Sequence, residues 1–404
     1  MLTLTVGACF AIAGLAAEKT EKAKEKKPSD GTHAVSKSID VKGESKGVKL
    51  QTMTMGTDGM IYALLGADRY GAKPAQVGEV QVLDPAGQKL RSWKVNFLSQ
   101  AIGCCPDGTI LVAGDGKIAA FDNSGNVKTE LELPYIKEAL GDEEKIKKKA
   151  EEQRQSQIET YEEIVKEHKK TLDELNAKNE EKLTKQEKQK IKQANSMVKT
   201  YERIVEQQKK QKVDDIVKQI MSRVKVINAV TATDKDVYVV SGETKGYGFA
   251  VWRMNRNFEE PKQVMESLSG CCGQMDIQAT GDDLWVAQNC SHNVGHYDRD
   301  GKKISTFGKR GRDGDADCFG GCCNPMNVRV VGNRVFTSES EGMVRCFTAD
   351  GQVEGLVGTV KIGGGCKNVP IAVSADGNTV YFCDQPGGKI HLLTKKTEAA
   401  TGTE

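Results

Sequence analysis

Met326-Asn-Val-Arg-Val-Val-Gly332-Asn333-Arg-Val-Phe-Thr-Ser-Glu-Ser340 is the stretch that decides the fold. Apolar residues alternate on both sides of a Gly-Asn turn, the pattern of two short strands paired as a hairpin. The pattern recurs along the chain. Leu50–Gly66 turns at Asp58-Gly59, Gln100–Gly114 at Asp107-Gly108 and Val226–Gly242 at Asp234-Lys235. Met275–Asn289 turns at Gly281-Asp282 and Val369–Asp384 at Asp376-Gly377. Third strands ending in similar turns follow at Val80–Gly87, Lys117–Gly125, Val294–Gly301 and Val344–Gly351. Strand-built units spaced by roughly 40–50 residues are those of four-stranded propeller blades. The expected fold is therefore mainly β, a six-bladed β-propeller. Its last unit lacks an outer strand at the C-terminus. Residues 36–43 supply one and close the ring, which removes exposed sheet edges.

Residues 137–225 break the pattern. They hold no Cys, no Pro and one glycine, and about half of them are charged, the composition of a long solvated helix. Ile158, Tyr161, Val165, His168, Leu172 and Leu175 recur at steps of three and four, a heptad seam. Ile191, Ala194, Val198, Tyr201 and Val205 form a second seam. The stretches around Tyr161 and Tyr201 resemble each other, and a turn near residue 181 sets these two tyrosines side by side. The expectation is a long antiparallel α-helical coiled-coil hairpin inserted between the second and third blades. Two helices alone give the propeller no core, so the hairpin reads as an arm for a protein partner or a second copy. Tyr161, His168, Leu172 and Tyr201 are its marker residues.

The domain plan is then a signal peptide over 1–17, a disordered linker over 18–35 and blades one and two over 36–136. The hairpin covers 137–225, blades three to six 226–395, and a disordered tail 396–404. Met1–Ala17 is apolar and rich in small residues before a sharp polar change, which reads as a secretory signal, although no Lys or Arg precedes it. The expected location is periplasmic or extracellular, with envelope association in view. A formal net charge of +2 gives no global field that favours nucleic acid.

Phe307-Gly308-Lys-Arg-Gly311-Arg-Asp-Gly314 followed by Phe319-Gly-Gly-Cys-Cys-Asn-Pro325 is similar to the linker of NHL repeats, with glycines, then Phe, then Pro before the inner strand. The resemblance implies six blades. It also implies a range of functions, from binding scaffolds and envelope proteins to lactonases and lyases with a metal at the central channel. No channel-facing acidic or histidine set of this chain matches those enzymes residue by residue. The sequence also has no nucleophile elbow, paired-histidine zinc motif, phosphate loop or dinucleotide fingerprint. The leading function is a non-enzymatic binding scaffold for a ligand or a protein. The alternative is a metal carrier or metal-dependent enzyme that uses a cysteine-rich rim of the channel.

Sulfur is the unusual chemistry. The chain has 12 cysteines, with adjacent pairs at Cys104-Cys105, Cys271-Cys272 and Cys322-Cys323. Cys271 and Cys322 each lie ten residues before the turn glycine of their unit. Cys366 takes the same place with one inserted residue. Cys290, Cys318 and Cys383, with His292, are expected in loops on the same face. Three readings stay open: disulfides between blade loops, which export favours; a soft-metal site for copper, zinc or an iron–sulfur centre; and a redox-active vicinal pair. Met53, Met55, Met275 and Met326 read as core residues.

Overall fold

The computed structural model describes residues 31–44, 47–67, 77–178, 183–246, 248–271, 274–311 and 316–397. The expected signal peptide lies outside these residues, as does the expected tail beyond Thr397.

The described chain is mainly β. After β1 (His33–Asp40) come β2 (Val48–Met55), β3 (Ile61–Ala67), β4 (Gly78–Leu83) and β5 (Lys89–Val95), the last four paired in that order as one antiparallel sheet. β6 (Ala101–Cys104), β7 (Ile110–Gly114), β8 (Lys117–Phe121) and β9 (Val127–Glu132) form the second. Four helices follow: α1 (Tyr135–Leu140), α2 (Glu143–Asn176), α3 (Lys185–Lys210) and α4 (Val213–Lys225). The third sheet is β10 (Ile227–Ala232), β11 (Asp236–Gly242), β12 (Phe249–Asn255) and β13 (Lys262–Leu268). The fourth is β14 (Asp276–Thr280), β15 (Asp283–Gln288), β16 (Asn293–Asp298) and β17 (Lys303–Phe307). A short parallel pair, β18 (Lys309–Arg310) and β19 (Cys318–Phe319), precedes the fifth sheet. That sheet is β20 (Asn327–Val331), β21 (Arg334–Ser338), β22 (Met343–Thr348) and β23 (Val353–Thr359). The sixth holds β24 (Ile371–Val373), β25 (Thr379–Asp384) and β26 (Lys389–Lys395), with β1 as its outer strand.

The six expected hairpin turns fall between the first two strands of a sheet, and the four turns expected after third strands fall between the third and fourth. The closing strand sits earlier than expected: it starts at His33, inside the stretch read as linker, and ends at Asp40. It runs antiparallel to β26, from His33 opposite Lys395 to Asp40 opposite Lys389. The pairing joins the two ends of the described chain in one sheet.

The first strands touch in a closed ring: β2 to β6, β6 to β10, β10 to β14, β14 to β20, β20 to β24, and β24 back to β2. Consecutive sheets sandwich apolar clusters between them. Strand alternation sends successive side chains to opposite clusters. Ile61, Ala63 and Leu65 face the sixth sheet, whereas Tyr62 and Leu64 face the second. Both faces are buried, which explains the nearly continuous apolar runs of the second strands.

Polar side chains stitch the ring at its hub. Thr231 Oγ1 accepts from the Ala279 N–H at 3.0 Å. Gln278 Oε1 accepts from the Val330 N–H at 2.8 Å. Asn327 Oδ1 accepts from the Ile371 N–H at 3.0 Å. Asp276 Oδ2 accepts from the Val328 N–H at 2.9 Å and from Arg329 at 2.7 Å. Burial pushes the Asp276 carboxyl above its ordinary value, against the pull of Arg329.

The helices α2 and α3 pack together, with Tyr161 stacked on Tyr201 at 5.6 Å between ring centroids. Val165, Leu172, Ala194 and Val198 form the seam, with His168 half-buried beside it. Asp142 caps α2, and a Thr184–Glu187 capping box starts α3. The expected turn near residue 181 lies outside the described residues. The helical segment differs from the expectation in two ways. It begins at Tyr135, and its second half breaks near Gln211 into α3 and α4. Its base is also propeller core: Tyr135, Ile146, Ala150, Ile216, Ile220 and Val224 are buried in one cluster with Leu111, Val239 and Trp252. Tyr135 stacks on Trp252 at 5.1 Å and donates to the Val224 carbonyl at 2.8 Å.

This packing separates two deletions. Each fully buried aliphatic or aromatic side chain contributes about 1.5–3 kcal/mol, against a total stability of about 5–15 kcal/mol. Deleting residues 140–222 therefore unfolds the chain or exposes a sticky surface. Deleting only residues 156–209, with a short Gly/Ser loop joining the cut ends, leaves a cooperative thermal transition. Calorimetry on both variants checks this, and equal behaviour contradicts it. At the hub, Asp276→Ala strands a largely buried guanidinium and an amide. It should cost about 3–5 kcal/mol in a denaturant titration, and a loss below about 1 kcal/mol counts against the stitching.

Candidate functional site

Three loops meet at the N-terminal ends of neighbouring inner strands. Cys271 precedes β14, Cys322 and Cys323 precede β20, and Cys366 precedes β24. The Sγ atoms of Cys271, Cys322 and Cys323 all lie within 4.8 Å of one another. Cys322 Sγ is 2.8 Å from Cys323 Sγ and 2.9 Å from Cys366 Sγ, and Cys323 to Cys366 is 3.5 Å. Adjacent residues of a strand point to opposite faces. Cys322 and Cys323 instead sit in a bend after Gly321, whose φ is +67°, and both sulfurs turn the same way.

Buried amides hold these loops. Asn289 Oδ1 accepts from the Cys271 N–H at 2.7 Å, and Asn289 Nδ2 donates to the Gln274 carbonyl at 3.2 Å. Asn324, the residue after Cys323, donates to the Gly320 carbonyl at 2.9 Å and to Glu341 at 2.7 Å. Its Oδ1 accepts from the Ser340 N–H at 2.8 Å. Cys323 and Met326 are buried in the apolar cluster between the fifth and sixth sheets, and Cys271 packs against it. Cys322 and Cys366 are exposed. Contact with Cys323 pulls the Cys322 thiol down. The Cys366 sulfur, partial burial and the nearby Cys271 outweigh that pull, so the thiol lies above its ordinary value.

The other expected ligands are elsewhere, except Cys272, which lies outside the described residues. Cys383 is not in a loop: it is a fully buried β25 residue. Strand alternation turns it with Tyr381 toward the first sheet, away from the cluster that takes Val380, Phe382 and Cys323. Burial raises its thiol. Cys318 is buried in β19 and packs against Gly311. Cys290 is half-buried in the turn after β15. His292 is buried in that turn at a φ of +53°, and burial lowers its pKa. None of these four belongs to the three-sulfur group.

No disulfide links any two of the described cysteines. The expected crosslinks between blade loops are therefore not seen among the described residues. Cys104 and Cys105 stand at the far end of the inner strands. Cys104 lines a cavity of about 240 Å³ with Thr52, Thr231, Gln278 and Arg329. Burial pushes the Cys105 thiol up to about 12.

The offset from the turn glycines that Cys271 and Cys322 share, and Cys366 with one inserted residue, is the sequence signal for this gathering; it does not place Cys290, His292, Cys318 or Cys383. Asn289 and Asn324 escape such reasoning. Their positions beside the cysteines are visible there, but their bonds are not.

The closed ring of four-stranded sheets defines a β-propeller. No family model matches the chain, and no curated protein matches it. Solved structures of similar shape include the Pan2 WD40 domain of Neurospora crassa, with TM-score 0.44 and 10% identity over 92% of this chain and 98% of that one. A gluconolactonase, XC5397 from Xanthomonas campestris, gives 0.45 and 10% over 90% and 99%. A catalytically inactive virginiamycin B lyase from Staphylococcus aureus with quinupristin gives 0.40 and 11% over 89% and 99%. These are likenesses of shape, and their chemistry is not carried over to this chain.

Exposure orders the thiols. In reduced, chelator-treated protein, Cys322 and Cys366 should alkylate first and Cys105 and Cys383 only on unfolding. Peptide mass spectrometry during a labelling time course reads the order, and early labelling of Cys383 contradicts the placement.

Proposed function

We propose that the chain is an exported, non-enzymatic binding scaffold: a six-bladed propeller of the NHL type whose coiled-coil arm docks another protein chain. The rooted base of the arm carries this reading. A spacer needs no fixed direction, whereas Tyr135, Ile216, Ile220 and Val224 lock the helices into the propeller core. The six sheets and their ring of first strands support the blade count. The NHL assignment is supported by the linker packing: a side chain at Gly308 would meet the Phe319 ring, and Phe319 is fully buried beside Phe347. Export rests on the apolar stretch Met1–Ala17, and envelope association would follow from it.

Charge favours a second copy as the docked chain. α3 carries eight Lys and Arg against three Glu, and α2 ten Asp and Glu against eight Lys and Arg. Lys188, Lys190 and Lys192 are exposed. An α3 laid on the partner's α2 would pair these surpluses, in a salt-sensitive contact. Sedimentation velocity on the full chain should show association at low salt that weakens at high salt. The 156–209 deletion and a Lys188→Glu/Lys190→Glu/Lys192→Glu variant should sediment as monomers. A full chain that is monomeric at every salt concentration, or an association that survives the deletion, contradicts the reading.

A further inference from the structure

We propose that Cys271, Cys322, Cys323 and Cys366 form a four-sulfur site for one thiophilic d10 cation, zinc or cuprous copper. This site is independent of the arm and goes beyond the scaffold reading.

The donor set fits this chemistry. Thiolates select soft or borderline cations, and four of them around one ion make a closed structural site. Three separate loops supply the sulfurs, so an ion there would tie the fourth, fifth and sixth sheets together. The alternative of a single disulfide fits less well. Cys322 Sγ stands almost equally far from two sulfurs, 2.8 Å from Cys323 and 2.9 Å from Cys366. Either pairing would leave Cys271 and a third sulfur to form a second bond, whereas one ion takes all four sulfurs at once.

The loops can also make room. A Zn–S bond of about 2.3 Å in a tetrahedron sets sulfurs about 3.8 Å apart. The shorter separations here must open by about an ångström, and Cys366, which stands outside the group of three sulfurs within 4.8 Å of one another, must close on Cys271. The exposed residues are the ones able to yield. Cys366 follows Gly364 and Gly365, which have open space around them, and Gly365 has a φ of +101°. Cys271 and Cys323 stay fixed, the first by Asn289 and the second by burial next to Met326. Two anchored ligands and two that can adjust suit an entry path from solvent.

The test uses the full chain, reduced and stripped with chelator under anaerobic conditions, then titrated with Co²⁺. One equivalent should produce the thiolate charge-transfer and tetrahedral ligand-field bands. Zn²⁺ and Cu⁺, each added separately, identify the preferred ion by which displaces cobalt at the lower free concentration. Cys322→Ser and Cys366→Ser each remove a direct ligand and should weaken binding by more than the roughly 10–100-fold that loss of an outer-shell partner costs. Both positions are exposed, so their melting transitions without metal should match the parent's. Cys104→Ser, at the far end of the inner strands, should bind as the parent does. Absence of the bands in reduced protein overturns the proposal. So does binding that survives both serine variants, or an iron–sulfur chromophore in freshly isolated protein.

Discussion

The first strand of each sheet leaves one edge without a partner strand, and those edges face the hub. Buried backbone amides need partners, and a sheet edge is a template for unwanted pairing. Here side chains from one inner strand reach the next: Thr231 to Ala279, Gln278 to Val330, Asp276 to Val328 and Asn327 to Ile371. These bonds fix the height of each of these sheets relative to its neighbour. They tie the third to sixth sheets into one arc, and the β1–β26 pairing joins the two ends of the described chain within the sixth sheet.

That fixed height is what creates the sulfur cluster. Cys271, Cys322 and Cys366 stand at matching positions before β14, β20 and β24. Stitched strands carry matching loops to one rim. The same geometry sends Cys104 to the other end and Cys383 into the wall between sheets. Sequence distance is irrelevant to the cluster; position within the unit decides it. The helical segment obeys a separate rule. Its heptad seam holds the two long helices to each other, and the apolar faces of α1, α4 and the start of α2 hold them to the wheel.

Much of this is legible in the residues. Asx-Gly and Gly-Asx turns between alternating apolar runs mark the start of most sheets, because few other residues accept such turns. The Tyr161–Tyr201 register comes from an internal likeness in the helices. Cys383 is misplaced when its strand is ended too early: alternation through Val380, Tyr381 and Phe382 continues to Cys383. The root of the helices is hidden because Ile216, Ile220 and Val224, recurring every four residues, mark only an apolar helix face, and spacing does not name the surface that such a face meets. The hub bonds are not readable at all. A Gln or Asn inside a strand shows no sign of which neighbouring amide it will reach.

The most direct test of the wheel joins its distant parts chemically. Dibromobimane bridges two thiols only when they lie close together, and becomes fluorescent when it does. In the reduced full chain, the predicted products are bridged peptides linking Cys366 to Cys322 or Cys323, with Cys271 joined to the same group. Bridges from Cys366 to Cys104 or Cys383, or none between these loops, would contradict the arrangement of the sheets from which the site is built.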